Sequence, residues 1–200
     1  MKTIVLATGN KDKAFEIKAM LDHQYEVKTM NEMGIDVDII EDGQTFEENA
    51  LIKVHGIKAY LKDKNMIVMG DDSGLSVDAL DGAPGIYSAR YAGEDVSYHD
   101  NNEKLLNAMK DVPKEKRGAE FVCSVALILP DNREFTVRGT VRGEIAFDFM
   151  GDEGFGYDPL FMVEGLGKSY AQMTHDEKNA ISHRARAIEK VKAILENNGI

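Results

Sequence analysis

The chain has 200 residues, 43% hydrophobic and 30% charged, a balance typical of a globular protein with one core or two lobes sharing a sheet. Asp and Glu outnumber Lys and Arg by 35 to 24, and the net charge of −11 disfavours nucleic-acid partners. The single cysteine excludes an internal disulfide framework, and no apolar stretch approaches a membrane span. We therefore expect one cytoplasmic domain over residues 1–200, with no membrane partner.

Patterns typical of strands and helices alternate over the first third of the chain. Short apolar runs predict the strands, and apolar positions at helical spacing predict the helices. The predicted elements are a strand at Lys2–Ala7, a helix at Lys11–Leu21, strands at Tyr25–Thr29 and Ile35–Ile40, and a helix from its N-cap Thr45 to about Lys62.

The turn Thr8–Asn10 joins the first predicted strand to the first predicted helix. A helix start carries backbone amide groups without helical partners, and Lys11 and Lys13 add positive charge beside them. This arrangement indicates an anion site. A solvated first turn is the simpler explanation for Lys11 by itself.

The stretch Asp71–Gly74 directly follows the apolar run Met66–Met69 and a glycine. The run predicts a buried strand, and the glycines predict a sharp turn at its end. Adjacent carboxylates at a strand end suit a hard cation and a base that activates water, and Glu41 can complete such a cation site with Asp72. A turn without a chemical role explains the same residue types.

The second half of the chain predicts a loop, a helix, a hairpin and a final helical segment. Long loops in compact domains are often functional or form interfaces. The predicted elements are the loop Gly82–Gly93, the helix Tyr98–Met109, an antiparallel hairpin of Ala119–Leu129 and Phe135–Ile145, and a helical segment capped by Thr174.

Two stretches in this half are candidates for binding a base. In Gly154–Pro159 an aromatic ring between glycines can lie exposed and stack, although a glycine-rich turn with core aromatics is equally consistent. Lys178, His183 and Arg184 lie near the start of the final helical segment. On one continuous helix His183 points away from the other two, so all three meet one ligand only if the helix start is irregular.

Six stretches together carry a family resemblance in their order and spacing. They are Thr8–Asn10 with Lys13, Glu41–Ala50, Asp71–Leu75, Gly82–Arg90, Gly154–Pro159 and Ser182–Arg184. They resemble the HAM1-like, or inosine triphosphate pyrophosphatase, family from Thr8 to about Ala187.

The resemblance implies an α/β fold with an elongated central mixed β-sheet flanked by helices, and two lobes with the active site in the cleft between them. It also implies a homodimer and Mg²⁺-dependent hydrolysis of ITP, dITP and XTP to the monophosphate and pyrophosphate, which cleanses the nucleotide pool.

The resemblance further implies a role for each site residue. Asp72 is the expected proton acceptor and, with Glu41, a ligand of the metal. The substrate phosphates are expected at Thr8, Gly9, Asn10, Lys11, Asp12 and Lys13, with help from Lys53, and Ser73 is expected to contact the substrate. The base and sugar are expected at Phe155, Gly156, Tyr157 and Asp158, and the purine edge at Lys178, His183 and Arg184. Asp12 departs from the family pattern, since many relatives carry an uncharged residue there.

Hydrogen-bond donors aimed at a 6-keto oxygen would reject adenine, because its amino group would leave buried donors unpaired. Rejection of guanine must involve the 2-position. Two alternatives remain at this point. One is a Maf-like nucleotide pyrophosphatase with another base preference, and the other is a nucleotide-sensing module whose acids bind metal without turnover.

Overall fold

The computed structural model describes residues 1–21 and 24–200. Within these residues the strands are β1 (Lys2–Leu6), β2 (Tyr25–Thr29), β3 (Ile67–Val77), β4 (Gly118–Ile128), β5 (Glu134–Ile145) and β6 (Phe161–Val163). The α-helices are α1 (Lys11–Leu21), α2 (Phe46–Lys58), α3 (Tyr98–Ala108), α4 (His175–Ile181) and α5 (His183–Asn197). Short 3-10 helices cover Asp78–Leu80, Gly85–Arg90, Lys114–Lys116 and Tyr170–Gln172.

The strands form one mixed sheet in the order β2-β1-β3-β4-β5-β6. Strand β1 lies parallel to β2 and β3, whereas β6 lies antiparallel to β5. The connection 129–133 between the neighbouring strands β4 and β5 is too short for a parallel crossover, so they form the predicted hairpin. The predicted α/β fold with a central mixed sheet is therefore confirmed.

The predicted strand at Ile35–Ile40 is wrong, because this stretch has no strand assignment. Its alternating apolar residues Ile35, Val37 and Ile39 instead pack onto the core cluster that includes residues of α2. The alternation therefore reflects contact with a core rather than pairing in a sheet. The following helix begins after the predicted cap Thr45, whose hydroxyl accepts the Glu48 N–H at 3.1 Å, but it ends at Lys58, earlier than predicted.

The predicted turn at Asp71–Gly74 is also wrong, because β3 continues through it to Val77. The glycine before it serves close packing. A Cβ added at Gly70 would lie 3.1 Å from Val54 Cγ1 and 3.2 Å from Lys53 Cβ, so the absence of a side chain lets α2 approach the strand. Pairing across a central strand thus overrides the local turn preference of Asp, Ser and Gly.

The final helical segment is irregular. Such an irregularity is the condition for Lys178, His183 and Arg184 to contact one ligand. Ser182 has an extended backbone, with φ −64° and ψ 160°, and separates α4 from α5. Thr174 is the predicted cap of α4, and its hydroxyl accepts the Glu177 N–H at 3.2 Å.

The chain divides into two compact units. The first comprises Met1–Asp72, Cys123–Gly139 and Arg184–Ile200, and the second comprises Ser73–Val122 and Thr140–His183. In the first unit, one core cluster contains residues of α1 and α5 and another contains residues of α2. In the second unit, a core cluster contains residues of α3, β5 and β6. The expectation of one domain over residues 1–200 stays a prediction.

Helices long and apolar enough to cross a bilayer are absent from the described part of the chain.

Candidate active site

Strand β3 presents its two aspartates to opposite faces of the sheet. Successive side chains along a strand alternate between faces. Met69 belongs to the core cluster of α1 and α5, and Val68 belongs to the cluster of α2. Asp71 therefore faces the side of α1 and α5, and Asp72 faces the side of α2. The contacts of the two carboxylates agree with this division.

Asp71 lies in a buried network of charges in the first unit. Its Oδ2 lies 3.3 Å from Lys13 Nζ and 3.4 Å from Arg184 Nη2. Arg184 Nη1 also donates to Glu16, and Glu16 and Arg184 are 2% and 1% exposed. Burial alone would raise the pKa of Asp71, but the charges of Lys13, Arg184 and Lys53 outweigh it and hold that pKa well below its ordinary value. Asp71 is therefore a fixed anion and a poor proton acceptor.

Asp72 is held through both of its carboxylate oxygens. Lys53 Nζ donates to Oδ1 at 3.1 Å, and Asn49 Nδ2 donates to Oδ2 at 3.2 Å. Asn49 and Lys53 are four residues apart on α2, so their side chains lie on the same face of the helix. The carboxylate of Asp72 is thus oriented by one cation and one neutral amide.

Lys53 is buried and lies between two carboxylates. Its Nζ lies 2.7 Å from Glu41 Oε2 and 3.1 Å from Asp72 Oδ1, and it donates to the Asp71 carbonyl oxygen at 2.9 Å. Burial would lower the pKa of Lys53, but the negative charges of Asp72, Asp71 and Glu41 raise it above its ordinary value. The helix pattern alone would predict that Lys53 is exposed, and that prediction is wrong.

The pair Glu41 and Asp72 fits a hard cation. Both carboxylates already converge on one positive charge, the ammonium of Lys53. In the described residues there is no group of three or more His, Cys, Asp or Glu side chains able to hold a metal. Two carboxylates together with substrate phosphates and water are the usual ligands of Mg²⁺, so the pair fits a cation shared with a substrate.

The predicted phosphate segment forms the turn before α1. Asn10 Oδ1 accepts the backbone N–H groups of Asp12 and Lys13 at 2.9 and 3.0 Å, so its side chain caps the helix. Thr8 Oγ1 accepts the Asn10 N–H at 3.1 Å. Gly9, Lys11 and Asp12 are exposed, whereas Lys13 turns towards Asp71. Two amide groups expected to face an anion are therefore bonded to Asn10 in this structure.

The second unit carries the predicted base-binding residues around Lys178. Lys178 Nζ donates to Asp158 Oδ2 at 2.6 Å, and both side chains are at most 4% exposed. The same ammonium lies 4.5 Å from the centre of the half-buried Phe155 ring. Asp158 Oδ2 also accepts the Phe155 N–H at 2.9 Å. A Cβ added at Gly154, whose φ is +79°, would lie 2.1 Å from Asp158 Oδ2, so this turn requires glycine.

The neighbouring predicted residues are more deeply buried than an open stacking site implies. Tyr157 is 3% exposed and donates to the Ser88 carbonyl oxygen at 2.7 Å. The carbonyl oxygen of Gly156 accepts from Asn102 at 2.8 Å. The His183 ring is 4% exposed and stacks on Phe121, with centroids 4.6 Å apart and an angle of 7°. Phe155 is therefore the more accessible aromatic residue in Gly154–Pro159. Ser73, which opens the second unit, is half-buried in β3.

A family model described as the Ham1 family matches residues 4–194. The chain belongs to the Ham1 family. It is 50% identical over 196 residues to a dITP/XTP pyrophosphatase of Clostridium perfringens, with 96% of each chain covered. It is 47% identical to a dITP/XTP pyrophosphatase of Bacillus subtilis, with 98% of each covered. The structure of the Staphylococcus aureus Ham1 protein is similar, with a TM-score of 0.87, 45% identity and coverage of 98% of this chain and 100% of that chain.

Within this Ham1 family chain, the three residues predicted to read the purine belong to different surroundings. Lys178 and His183 lie in the second unit, next to Asp158 and Phe121. Arg184 lies in the first unit, where Glu16 and Asp71 hold its guanidinium. Their roles toward a base stay predictions.

Two residues of this Ham1 family site were not among the predicted ones. Glu16 is 2% exposed in α1 and pairs with Arg184, and its signal was a charged residue directly before Ile17 of the apolar stripe. Asn49 is 2% exposed and binds Asp72, and its signal was its position one helical turn before Lys53. Periodicity alone identifies neither, because polar residues at such positions are often solvated.

Proposed function

We propose that the chain is a nucleoside triphosphate pyrophosphatase that converts ITP, dITP and XTP to the monophosphate and pyrophosphate. The observation that carries the proposal is the buried carboxylate of Asp72, held by Lys53 and Asn49 beside Glu41. Relatives with about half of their residues identical, covered over nearly their full length, are named dITP/XTP pyrophosphatases. A housecleaning role in the nucleotide pool follows from this substrate class.

The first unit performs the phosphate chemistry. Asp72 accepts a proton from the water that attacks the α-phosphorus, and pyrophosphate leaves. Lys53 and Lys13 offset the negative charge of the phosphates, and the turn Thr8–Asn10 with Lys11 and Asp12 holds their oxygens. Mg²⁺, when held by Glu41 and Asp72, supplies further positive charge to the phosphates. Asp71 stays ionised and keeps Lys13 and Arg184 in place.

The second unit recognises the base. Phe155 offers a ring for stacking, and Gly156, Tyr157 and Asp158 shape the turn that presents it. Lys178 lies over that ring and supplies a donor for a 6-keto oxygen. His183 and Arg184 are proposed to supply the remaining contacts of the purine, and Ser73 a contact of the substrate. Donors of this kind favour inosine and xanthosine over adenosine.

A homodimer in the cytoplasm completes the proposal. The loop that carries the 3-10 helix Gly85–Arg90 exposes 56% of Tyr87, and large exposed aromatics are frequent at interfaces. Cys123 is a buried free thiol, which is compatible with a reducing compartment.

The test is pyrophosphate release from ITP, dITP, XTP, ATP, GTP, dTTP and UTP, each with Mg²⁺ and each with a chelator. We expect rapid, Mg²⁺-dependent release from ITP, dITP and XTP and little from the others. Preferential release from dTTP and UTP would favour the Maf-like alternative. Binding of ITP without release from any nucleotide would identify a sensing module.

A further inference from the structure

We propose that Asn49 is a positioning residue that holds the carboxylate of Asp72 and connects it to the loop carrying Glu41. This inference rests on the proposed function, in which Asp72 is the proton acceptor. Asn49 is 2% exposed, and its amide bridges two groups of the first unit. Nδ2 donates to Asp72 Oδ2 at 3.2 Å, and Oδ1 accepts the Gly43 N–H at 2.9 Å.

The orientation of this amide follows from its partners. The Gly43 N–H is only a donor, so the oxygen of Asn49 must face it. The NH₂ group must then face Asp72, where the carboxylate accepts. One side chain thereby accepts from a backbone N–H and donates to a carboxylate, and an aspartate of the same size at this position could only accept.

A neutral donor is suited to orienting a base. Lys53 already donates to Asp72 Oδ1, but a bond to one oxygen alone leaves the carboxylate plane free to rotate about that bond. A second donor on Oδ2 fixes that plane. Because the donor is an amide, it does so without placing a second positive charge on the group that must accept a proton.

The other end of Asn49 fixes the loop before α2. A Cβ added at Gly43 would lie 2.7 Å from Asn49 Oδ1 and 2.8 Å from Glu48 Cβ, so the loop is closed tightly on the helix start. Glu41 is two residues earlier and meets Lys53 Nζ at 2.7 Å. The Asn49 amide therefore helps to set the separation of the two carboxylates proposed to share a cation.

Capping of α2 does not explain this side chain. Thr45 already caps the helix, with its hydroxyl accepting the Glu48 N–H at 3.1 Å. The backbone N–H of Asn49 makes an ordinary helical bond to the Thr45 carbonyl oxygen at 3.1 Å. A polar amide at a 2% exposed position is thus used for its contacts with Asp72 and Gly43.

The experiment compares the parent with Asn49→Ala, Asn49→Asp and a matched control, Asn101→Ala. Asn101 is also a helical asparagine that is 2% exposed, and its amide donates to the Ala89 carbonyl oxygen at 3.1 Å and accepts the Ala92 N–H at 2.7 Å. Neither of its partners is a catalytic group. Each protein is measured for kcat and KM with ITP and Mg²⁺ and for Tm.

We expect Asn49→Ala and Asn101→Ala both to lower Tm, because each loses one hydrogen bond that the amide donates and one that it accepts. Only the Asn49 variants should lose kcat, by about 10- to 100-fold, with KM for ITP within about threefold of the parent. Asn49→Asp keeps the size of the side chain and the bond to Gly43, so it remains informative if Asn49→Ala does not fold. Added to Asp72→Asn, the Asn49→Ala change should lower kcat by much less than it does in the parent, because most of its effect acts through Asp72.

Parental kcat in Asn49→Asp, an equal loss of kcat in Asn101→Ala, or multiplied losses in the double variant would each overturn the inference and leave the proposed function standing. Parental turnover by Asp72→Asn would overturn both the assignment of the base and the inference. A parent that releases no pyrophosphate would refute the proposed function itself and, with it, the role of Asn49.

Discussion

Asp71 and Asp72 are consecutive in β3, yet their carboxylates face opposite sides of the sheet and bind different cations. Asp71 binds Lys13 of α1 and Arg184 of α5, whereas Asp72 binds Lys53 and Asn49 of α2. The alternation of side chains along a strand thus gives two adjacent acids two separate sets of contacts. One carboxylate organises the buried charges, and the other is available to act as a base.

This division predicts opposite outcomes for the two asparagine variants. Asp72→Asn cannot accept a proton, so turnover of ITP should fall by at least about 100-fold with little change in Tm. Asp71→Asn leaves the partly buried Lys13 and the buried Arg184 without their shared anion, which should destabilise the fold by about 3 kcal/mol. Steady-state kinetics and urea unfolding of both variants measure the two effects. Asp72→Asn with a rate within about threefold of the parent and an unchanged Tm would make Asp71 the candidate base.

Elements whose sequence pattern lies within a short stretch were predicted more accurately than elements that depend on distant parts of the chain. The cap at Thr45 and the hairpin follow from short stretches and are confirmed. The extended backbone of Ser182 meets the condition under which Lys178, His183 and Arg184 can contact one ligand, but the sequence did not predict that break. The turn expected at Asp71–Gly74 fails because pairing with neighbouring strands outweighs the local preference of the residues. Local sequence patterns indicate only the intrinsic preference of a segment. Whether a segment forms a central strand depends on pairing with strands that lie far along the chain.

The sequence identified site residues that lie in short motifs, and it did not identify those whose partner lies far along the chain. The motifs named Glu41, Lys53 and Asp72, and Lys53 lies between the two carboxylates, while the roles of all three toward a substrate stay predictions. Glu16 was not predicted as part of the site, because its partner Arg184 lies 168 residues further along the chain. A buried charge is visible in a sequence only when its counterion is also recognised.

The pair Glu16–Arg184 should contribute to stability because both groups are buried. Glu16→Gln removes the charge that faces Arg184 and should cost about 3 kcal/mol. The matched control is Glu32→Gln, which breaks the pair of Glu32 with Lys18, another α1 residue. The side chains of that pair are 50% and 36% exposed, so its loss should cost less than about 1 kcal/mol. Equal losses of unfolding free energy in urea would contradict a special role for the buried pair.

Cys123 should be unreactive in the folded protein. It is fully buried in β4, and burial raises the pKa of its thiol to about 12. At about pH 8 the thiol is therefore protonated and inaccessible to Ellman's reagent. We expect no release of thionitrobenzoate from native protein and one equivalent per chain after denaturation in urea. Rapid reaction of the native chain would show that β4 opens readily.

The loop around Tyr87 should form a contact between two copies of the chain. Multi-angle light scattering at micromolar concentration should give twice the chain mass of 22.2 kDa, about 44 kDa. Tyr87→Asp places a charge where 56% of an aromatic ring is exposed and should shift the distribution towards the monomer. Phe147→Asp is the control, because Phe147 is also exposed, at 64%, but lies outside this loop. A parent protein that scatters only as a monomer would refute the proposed dimer.

Lys178 should determine how well inosine is distinguished from adenosine. Its ammonium is fixed by Asp158 at 2.6 Å and lies 4.5 Å from the centre of the Phe155 ring, on which a base is proposed to stack. A base stacked on Phe155 would bring its 6-position near this ammonium, which would donate to the 6-keto oxygen of hypoxanthine and oppose the 6-amino group of adenine. Lys178→Met should therefore lower kcat/KM for ITP by about 10- to 100-fold, the effect of losing about 1–3 kcal/mol, with a smaller loss for ATP.

The double variant Lys178→Met with Asp158→Asn avoids a buried unpaired carboxylate and shows whether the loss for ITP comes from Lys178 itself. The control Lys168→Met removes an exposed lysine that pairs with Glu177 at 3.3 Å, and it should change neither rate. If the ratio of kcat/KM for ITP to that for ATP stayed constant in every variant, Lys178 would have only a structural role. A ratio that falls in both Lys178 variants and not in the control would assign the recognition of the 6-position to this side chain. A loss of stability alone would lower kcat/KM for ITP and for ATP by the same factor.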